Sequence, residues 1–306
     1  MFLGIEIGGT KLQLGLGHGD GHIHALWRGT VNPAEGGEGI RKQIISAVPE
    51  LLAKANTDRG SLKGVGVGFG GPTDDRSQTV IKSHQIQGWD GFPLADWVSD
   101  LVGAPAVLCN DADVAGLGEA LFGAGKGLSP IFYITVGTGV GGGLIIDGQI
   151  YRGVGRGAAE IGHLRVPSSG GPVEQYSSGA AIEERAAWIA TPLFTQLKRN
   201  GRITTKDVAA AARNGDLTAQ ALLSTAIELL AEGIAQLITL LCPRLIIIGG
   251  GVSLMGQELF FNPLQAAVAD RTFPPFAGLT DIVPAALGEE VVIHGALALA
   301  RQKFGG

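Results

Sequence analysis

Two stretches of this chain follow one plan. IEIGGTKLQLGL stands at its start and ITVGTGVGGGLII near its middle. Each reads as an apolar, β-branched run, a turn of glycine and threonine, and a second apolar run. That is the pattern of a strand, a tight turn and a returning strand. A supersecondary unit that recurs after more than a hundred residues points to two lobes of similar construction, each with a glycine turn at a strand end.

The intervening pattern agrees with this. The 306 residues fit about two domains, and a hydrophobic share of 45% supplies a sizeable core. Phe2–Ile7 and Lys11–Leu16 read as strands. His22–Val31 continues them beyond the hairpin signal Asp20–Gly21. Residues 39–56 carry Ile40, Ile44, Ile45, Val48, Leu51 and Leu52 at helical spacing. Leu62–Pro72 is a buried strand that ends in glycines. Leu94–Val102 is a short helix, Ala106–Leu108 a strand, and Ala112–Phe122 a helix. The second half repeats the programme with strand Pro130–Val136, glycine turn Gly137–Gly143 and strand Leu144–Ile146. Helices are expected over 179–198, 204–213 and 216–241, then an apolar strand Leu245–Ile248 and a terminal helix from Val291. Strands alternating with helices predict an α/β fold with mostly buried sheets. The lobes are expected to share a cleft lined by the glycine turns.

Composition narrows the partners. The formal net charge is -5 and there is no long Lys/Arg block, so nothing calls for nucleic acid or an anionic membrane. LLCPRLIIIGGG is too short for a membrane span and is broken by Pro243 and Arg244. The N-terminus lacks the pattern of a signal peptide. Cys109 and Cys242 are the only cysteines and are expected to be free, buried thiols in a reducing cytoplasm.

Five clusters hold groups with chemical use. Gly8–Gly9–Thr10–Lys11 follows a strand, and such a turn either cradles phosphate through successive N–H groups or simply closes a hairpin. Thr135, Gly137, Thr138, Gly139, Gly141 and Gly142 repeat it. Two such turns in one chain favour a phosphate chain as ligand. Neither matches a Walker or dinucleotide fingerprint. Gly249–Gly250–Gly251 closes an apolar strand, either for backbone approach to a ligand or as a cramped turn. Asn110–Asp111–Ala112–Asp113 lies between a strand and a helix, where a carboxylate either caps the helix or serves as a base. A helix turns Asp113 away from Asp111, so only one of them suits catalysis. In EIGHLRVPSSGGPVEQYSSG, Glu160, His163 and Glu174 sit in a polar, glycine-rich segment. It has no cysteine for a structural zinc site and no H-E-x-x-H pattern, so its groups either hydrogen-bond a polyhydroxylated ligand or belong to a solvated loop.

Taken in order, these motifs resemble those of the ROK family of repressors and sugar kinases, particularly its bacterial glucokinase-like kinases, over nearly the whole chain. LGIEIGGTK is similar to the family's first phosphate motif, GVGVGFGGPTD to its sugar loop and CNDADVAGLGEA to its catalytic-aspartate motif. ITVGTGVGGGLIIDGQIYRG is similar to the second phosphate motif, AAEIGH to the signature before the sugar and LIIIGGGVS to the adenosine-side motif. The resemblance implies an actin-like, ribonuclease H-like duplicated two-lobe kinase with a central cleft. It places a first lobe at 1–115, completed by a C-terminal helix at about 290–306, and a larger lobe at 116–289.

By the same resemblance Asp111 is the base that takes the proton from the sugar hydroxyl, and Gly71, Asn110, Glu160, His163 and Glu174 are further sugar contacts. Gly8, Gly9, Thr10, Lys11, Thr138 and Gly139 surround the phosphates, and Gly249, Gly250 and Gly251 flank the adenosine. ATP with Mg2+ is the implied donor, glucose at its 6-hydroxyl the implied acceptor, and a homodimer the implied assembly. Polyphosphate as donor, an N-acetylhexosamine or fructose as acceptor, and a non-catalytic sugar-binding protein are the alternatives. A DNA-binding repressor is disfavoured by a first strand that begins at Phe2.

The chain departs from the family pattern at three places. Glu6 replaces the usual aspartate near the metal and phosphates, so a glutamate one methylene longer would reach Mg2+ through a water. Phe69–Gly70 lacks the usual proline of the sugar loop. The cysteine cluster that binds zinc in many relatives after the Gly–His pair is missing, so no structural zinc is expected. Pro167, Pro172, Val166, Val173 and Tyr176 are then the candidates to hold residues 164–178 in register.

Overall fold

The computed structural model describes residues 1–83, 85–189 and 202–306. The chain runs β1 (Phe2–Ile7), β2 (Lys11–Gly17), β3 (Ile23–Thr30), α1 (Gly36–Lys54), β4 (Gly64–Phe69), β5 (Thr73–Asp74), β6 (Thr79–Val80), α2 (Leu94–Val102), β7 (Ala106–Asn110) and α3 (Asp111–Phe122). It continues with β8 (Ile131–Val136), β9 (Val140–Ile146), β10 (Gln149–Ile150), α4 (Glu174–Ser177), α5 (Gly179–Ile189), α6 (Thr205–Arg213), α7 (Leu217–Leu241), β11 (Leu245–Gly249), α8 (Asn262–Arg271), β12 (Asp281–Pro284) and α9 (Val291–Phe304). The expected alternation of strands and helices is present. Residues 190–198 of the helix expected over 179–198 lie outside the described residues.

Two five-stranded mixed sheets have the orders β3-β2-β1-β4-β7 and β10-β9-β8-β11-β12. The duplication read from the sequence is therefore real: β1–β2 and β8–β9 occupy matching positions. The chain divides into two compact units, one of Met1–Ser129, Gly143–Ala158 and Ala286–Gly306, the other of Pro130–Gly142 and Ala159–Ala285.

In the first unit β1 lies between antiparallel β2 and parallel β4, and all six of its residues are buried. A strand enclosed on both edges and both faces is expected to be apolar, which explains the run FLGI and leaves the buried Glu6 as the exception within β1. Its glycines answer a packing need: a Cβ on Gly4 would stand 3.2 Å from Ile293 O and 3.2 Å from Leu297 Cγ of α9. A Cβ on Gly66 of β4 would overlap the Ala296 carbonyl, and one on Gly295 of α9 would overlap that of Val114 in α3. Small residues thus bring α9 close to the sheet and to α3. On the other face Ile40, Ile44, Val48 and Leu51 of α1 join Leu12, Leu14, Val65 and Val67 in one core.

In the second unit β11 runs parallel between β8 and β12. The long helix α7 buries Ala226, Leu230, Ile234 and Leu237. It is long and apolar enough to cross a membrane, but 67% of its most apolar window is buried inside the protein. Asp216 caps its start by accepting from Ala219 N.

Two local expectations are corrected. Gly137–Gly143 is not one turn, because β9 begins at Val140 and only residues 137–139 turn. Cys109 is buried as expected, whereas Cys242 is only half-buried and ends α7 in the left-handed conformation at φ 40°.

Candidate active site

The first unit gathers the end of β1, the turn into β2, the end of β4 and the start of α3. Gly8 N donates to Lys11 O at 2.9 Å and closes the turn. Gly70 N donates to Ile7 O at 2.8 Å, which lays the loop after β4 against the same strand end. β7 leads directly into α3. Asn110 caps that helix by accepting from Ala112 N at 2.9 Å and Asp113 N at 3.4 Å. Its amide also donates to Gly71 O at 3.1 Å. One side chain therefore ties the sugar-loop candidate to the helix that begins with Asp111.

Asp111 stands at the first helical position, half-buried. A Cβ placed on Gly70 would lie 3.4 Å from Asp111 Oδ2 and 3.6 Å from Gly8 Cα. The carboxylate thus sits beside the Gly8–Lys11 turn, at the N-terminus of α3. Asp113 has a different fate. It is 1% exposed and its Oδ2 is ion-paired with Arg152. Of the two aspartates, only Asp111 presents its carboxylate at the turn.

Glu6 is 6% exposed, at the buried end of β1. Lys11 Nζ lies 2.9 Å from Glu6 Oε1, and Gln13 Nε2 donates to Glu6 Oε2 at 3.1 Å. Lys11 and Gln13 also donate to the Glu289 carbonyl, at 3.1 and 3.0 Å. Burial pushes the Glu6 carboxyl up to about 7 from an ordinary 4.5. The Lys11 ammonium opposes the shift, while the charges of Asp111 and Glu289 add to it. Lys11 is thus held by Glu6 and the Glu289 carbonyl beside the turn it was expected to charge.

In the second unit the matching turn is closed by Gly137 N donating to Gly139 O at 2.9 Å, and Gly179 N at the start of α5 donates to Gly137 O at 2.7 Å. Thr138 is exposed at its tip. Glu174 Oε2 accepts from Val140 N at 2.8 Å, directly after Gly139. A Cβ on Gly162 would overlap Val140 O. Val140 is therefore a common strut: its N–H holds Glu174 and its carbonyl backs the tight turn that carries Glu160 and His163, both exposed. Ala159, the residue before Glu160, has φ 64°, a strained value for an L residue.

The segment between His163 and Glu174 is a small hairpin. Arg165 and Pro172 form an antiparallel bridge, Val166 N donates to Gly171 O at 2.9 Å, and Val173 N donates to Leu164 O at 2.9 Å. Val166 and Val173 are fully buried, and Val173 packs on Gly233 of α7. Ser168 hydrogen-bonds Glu232, and the Arg185 guanidinium stacks 4.4 Å from the Tyr176 ring centroid. Apolar anchors and backbone pairing order these residues. Among the described residues, no group of three His, Cys, Asp or Glu is arranged to hold a metal.

The glycine triplet after β11 divides its duties. Gly250 has φ 88°, and a Cβ there would lie 2.5 Å from Val136 O, so the turn itself demands glycine. A Cβ on Gly249 would overlap the Tyr133 hydroxyl. A Cβ on Gly251 would meet nothing within 4 Å, and the residue is exposed, so packing does not require glycine there.

Several residues at these sites escape a reading of the sequence. Gln13, wholly buried between Leu12 and Leu14, braces Glu6; a polar residue inside an apolar run was the available signal. Gln85 lies over the first turn, where a Cβ on Gly9 would overlap its carboxamide. Arg152 lies at the end of the quoted ITVGTGVGGGLIIDGQIYRG stretch, but nothing in its residue type marks it as a partner of Asp113.

The model of the ROK family matches residues 2–303 of the chain. A glucokinase of Halalkalibacterium halodurans is 32% identical over 99% of this chain and 95% of its own length. A ROK family glucokinase from Streptomyces griseus, solved in complex with glucose and AMPPNP, is 34% identical over 98% of this chain and 99% of its own, with a TM-score of 0.80. A ROK hexokinase from Thermus thermophilus superposes with a TM-score of 0.83 at 26% identity, over 99% of this chain and 98% of its own.

Proposed function

The chain belongs to the ROK family and is a sugar kinase, and from that premise we propose that it transfers the terminal phosphoryl group of ATP to the 6-hydroxyl of glucose with Asp111 as general base. One observation carries the reading: the half-buried Asp111 carboxylate overlies Gly70 next to Gly8 of the phosphate turn, while Asp113 is consumed by Arg152. Phosphoryl transfer asks little covalent work of the protein and mostly needs positioning and charge neutralisation. Asp111 takes the hydroxyl proton as the sugar oxygen bonds to phosphorus and the bond to the ADP oxygen breaks.

Asn110, Gly71, Glu160, His163 and Glu174 hydrogen-bond the sugar in this reading. Gly8, Gly9, Thr10, Lys11, Thr138 and Gly139 face the phosphates, and Gly249–Gly251 face the adenosine. Mg2+ fits as a hydrated ion carried by the phosphates. It would neutralise their charge, with Glu6 reaching it through water because Lys11 and Gln13 already bond both Glu6 oxygens.

The test is a coupled assay of glucose, mannose, fructose, N-acetylglucosamine and N-acetylmannosamine against ATP and polyphosphate. The proposal expects the highest kcat/KM for glucose with ATP. Turnover only with polyphosphate, or preference for another sugar, replaces the donor or acceptor. No turnover with any pair overturns the reading.

A further inference from the structure

We propose that Arg152 is a positioning residue for the reaction, a clamp that fixes the first turn of α3 and thereby the direction of Asp111. The inference rests on the reading of Asp111 as the base. Every contact it uses lies within the first unit.

The Arg152 side chain is 13% exposed. Its Nε lies 3.0 Å from each Asp75 carboxylate oxygen, and its Nη2 lies 2.7 Å from Asp75 Oδ1 and 3.1 Å from Thr73 Oγ1. Its Nη1 bonds Asp113 Oδ2. One planar cation therefore joins the segment after the sugar loop to the first turn of α3. Two further links fasten the surroundings: Asp75 N donates to Gly155 O at 3.0 Å, and Arg156 Nε lies 3.1 Å from Asp74 Oδ2.

On the near side of Asp111, Asn110 makes a second connection between the same two segments through Gly71 O. Asp111 thus lies on α3 between two ties, Asn110 before it and Asp113 after it. A helix start held at one point can pivot about it, and a start held at two cannot. Arg152 touches none of the reacting groups and acts through Asp113.

A guanidinium is needed for this task. It offers donors in a fixed fork that satisfy Asp75, Thr73 and Asp113 together, whereas the ammonium of lysine offers a point charge on a flexible stem. Arg152→Lys keeps the charge that compensates buried Asp113 and removes the fork.

The experiment compares wild type, Arg152→Lys and Arg152→Ala for kcat, KM of sugar and ATP, and thermal midpoint. Asp75→Asn, at a more exposed position, serves if the Arg152 variants fail to fold. The clamp predicts that Arg152→Lys, or Asp75→Asn in its place, loses about 10- to 100-fold in kcat, the scale of a misplaced reacting group, while KM for ATP stays within about threefold. It also predicts that millimolar guanidinium ion restores part of kcat in Arg152→Ala without raising its thermal midpoint. Wild-type kcat per folded molecule in the variants, or activity that falls only in step with the folded fraction, overturns the clamp. If wild type phosphorylates no sugar, the kinase reading itself fails, which is a separate result.

Discussion

Replacing Glu6 with glutamine tests whether burial or Lys11 governs this carboxyl. Burial raises its folded pKa to about 7 from 4.5, despite the ammonium 2.9 Å away. The raised value means the folded protein holds this proton more tightly than the unfolded chain does. The Glu6 contribution to stability is therefore fully present below pH 4.5 and is lost as pH rises through about 7. The shift corresponds to about 3 kcal/mol at 1.36 kcal/mol per pH unit. Glutamine keeps an acceptor for Gln13 or Lys11 but cannot ionise. The stability of Glu6→Gln relative to wild type should then rise by about 3 kcal/mol between pH 4.5 and 8. Urea unfolding followed by tryptophan fluorescence reads the relevant unit, since Trp27, Trp89 and Trp97 all belong to it. Parallel pH profiles for the two proteins would mean that Lys11 keeps Glu6 ionised throughout, and the argument from burial would be refuted.

Further expectations follow from the second unit. Ala159→Gly relieves a left-handed alanine and should stabilise by about 0.5–1 kcal/mol, read as a higher urea midpoint. Val166→Ala should cost about 1–3 kcal/mol and raise KM for the sugar, because it empties the hydrophobic anchor of the hairpin leading to Glu174. Gly250→Ala forces a left-handed residue onto the Val136 backbone and should cost about 3 kcal/mol or more, seen as a lower thermal midpoint or insoluble protein. Protein purified without chelator should carry less than stoichiometric zinc by elemental analysis, since Val166 and Val173 order the segment.

Much of this architecture is legible in the sequence where one element's pattern has one cause. α2 spans Leu94–Val102 as its spacing indicates, and α7 is the long apolar helix before Pro243. The duplicated strand–turn–strand units predicted the paired sheets. Glycine misled where its cause was tertiary. Gly142 and Gly143 read as turn residues, yet they lie in β9, and packing explains their being glycine: a Cβ on Gly142 would overlap the Ala159 carbonyl and one on Gly143 would stand 2.8 Å from that of Ala112. At the candidate site, the order of motifs singled out Asp111, and the local helix argument separated it from Asp113. The sequence could not reveal why the separation holds, since Arg152 lies 39 residues from Asp113 along the chain. Nor could it reveal that Glu174 is held by the N–H of Val140, because a backbone donor has no signature in residue type.

Steady-state kinetics of Asp111→Asn with glucose and ATP test the proposed role of Asp111 most directly. Asparagine keeps the size and the helix start but cannot accept the hydroxyl proton. The account predicts a fall in kcat of about 100- to 10,000-fold, with glucose still binding and the far-UV circular dichroism unchanged. Turnover equal to wild type in the folded variant would contradict it.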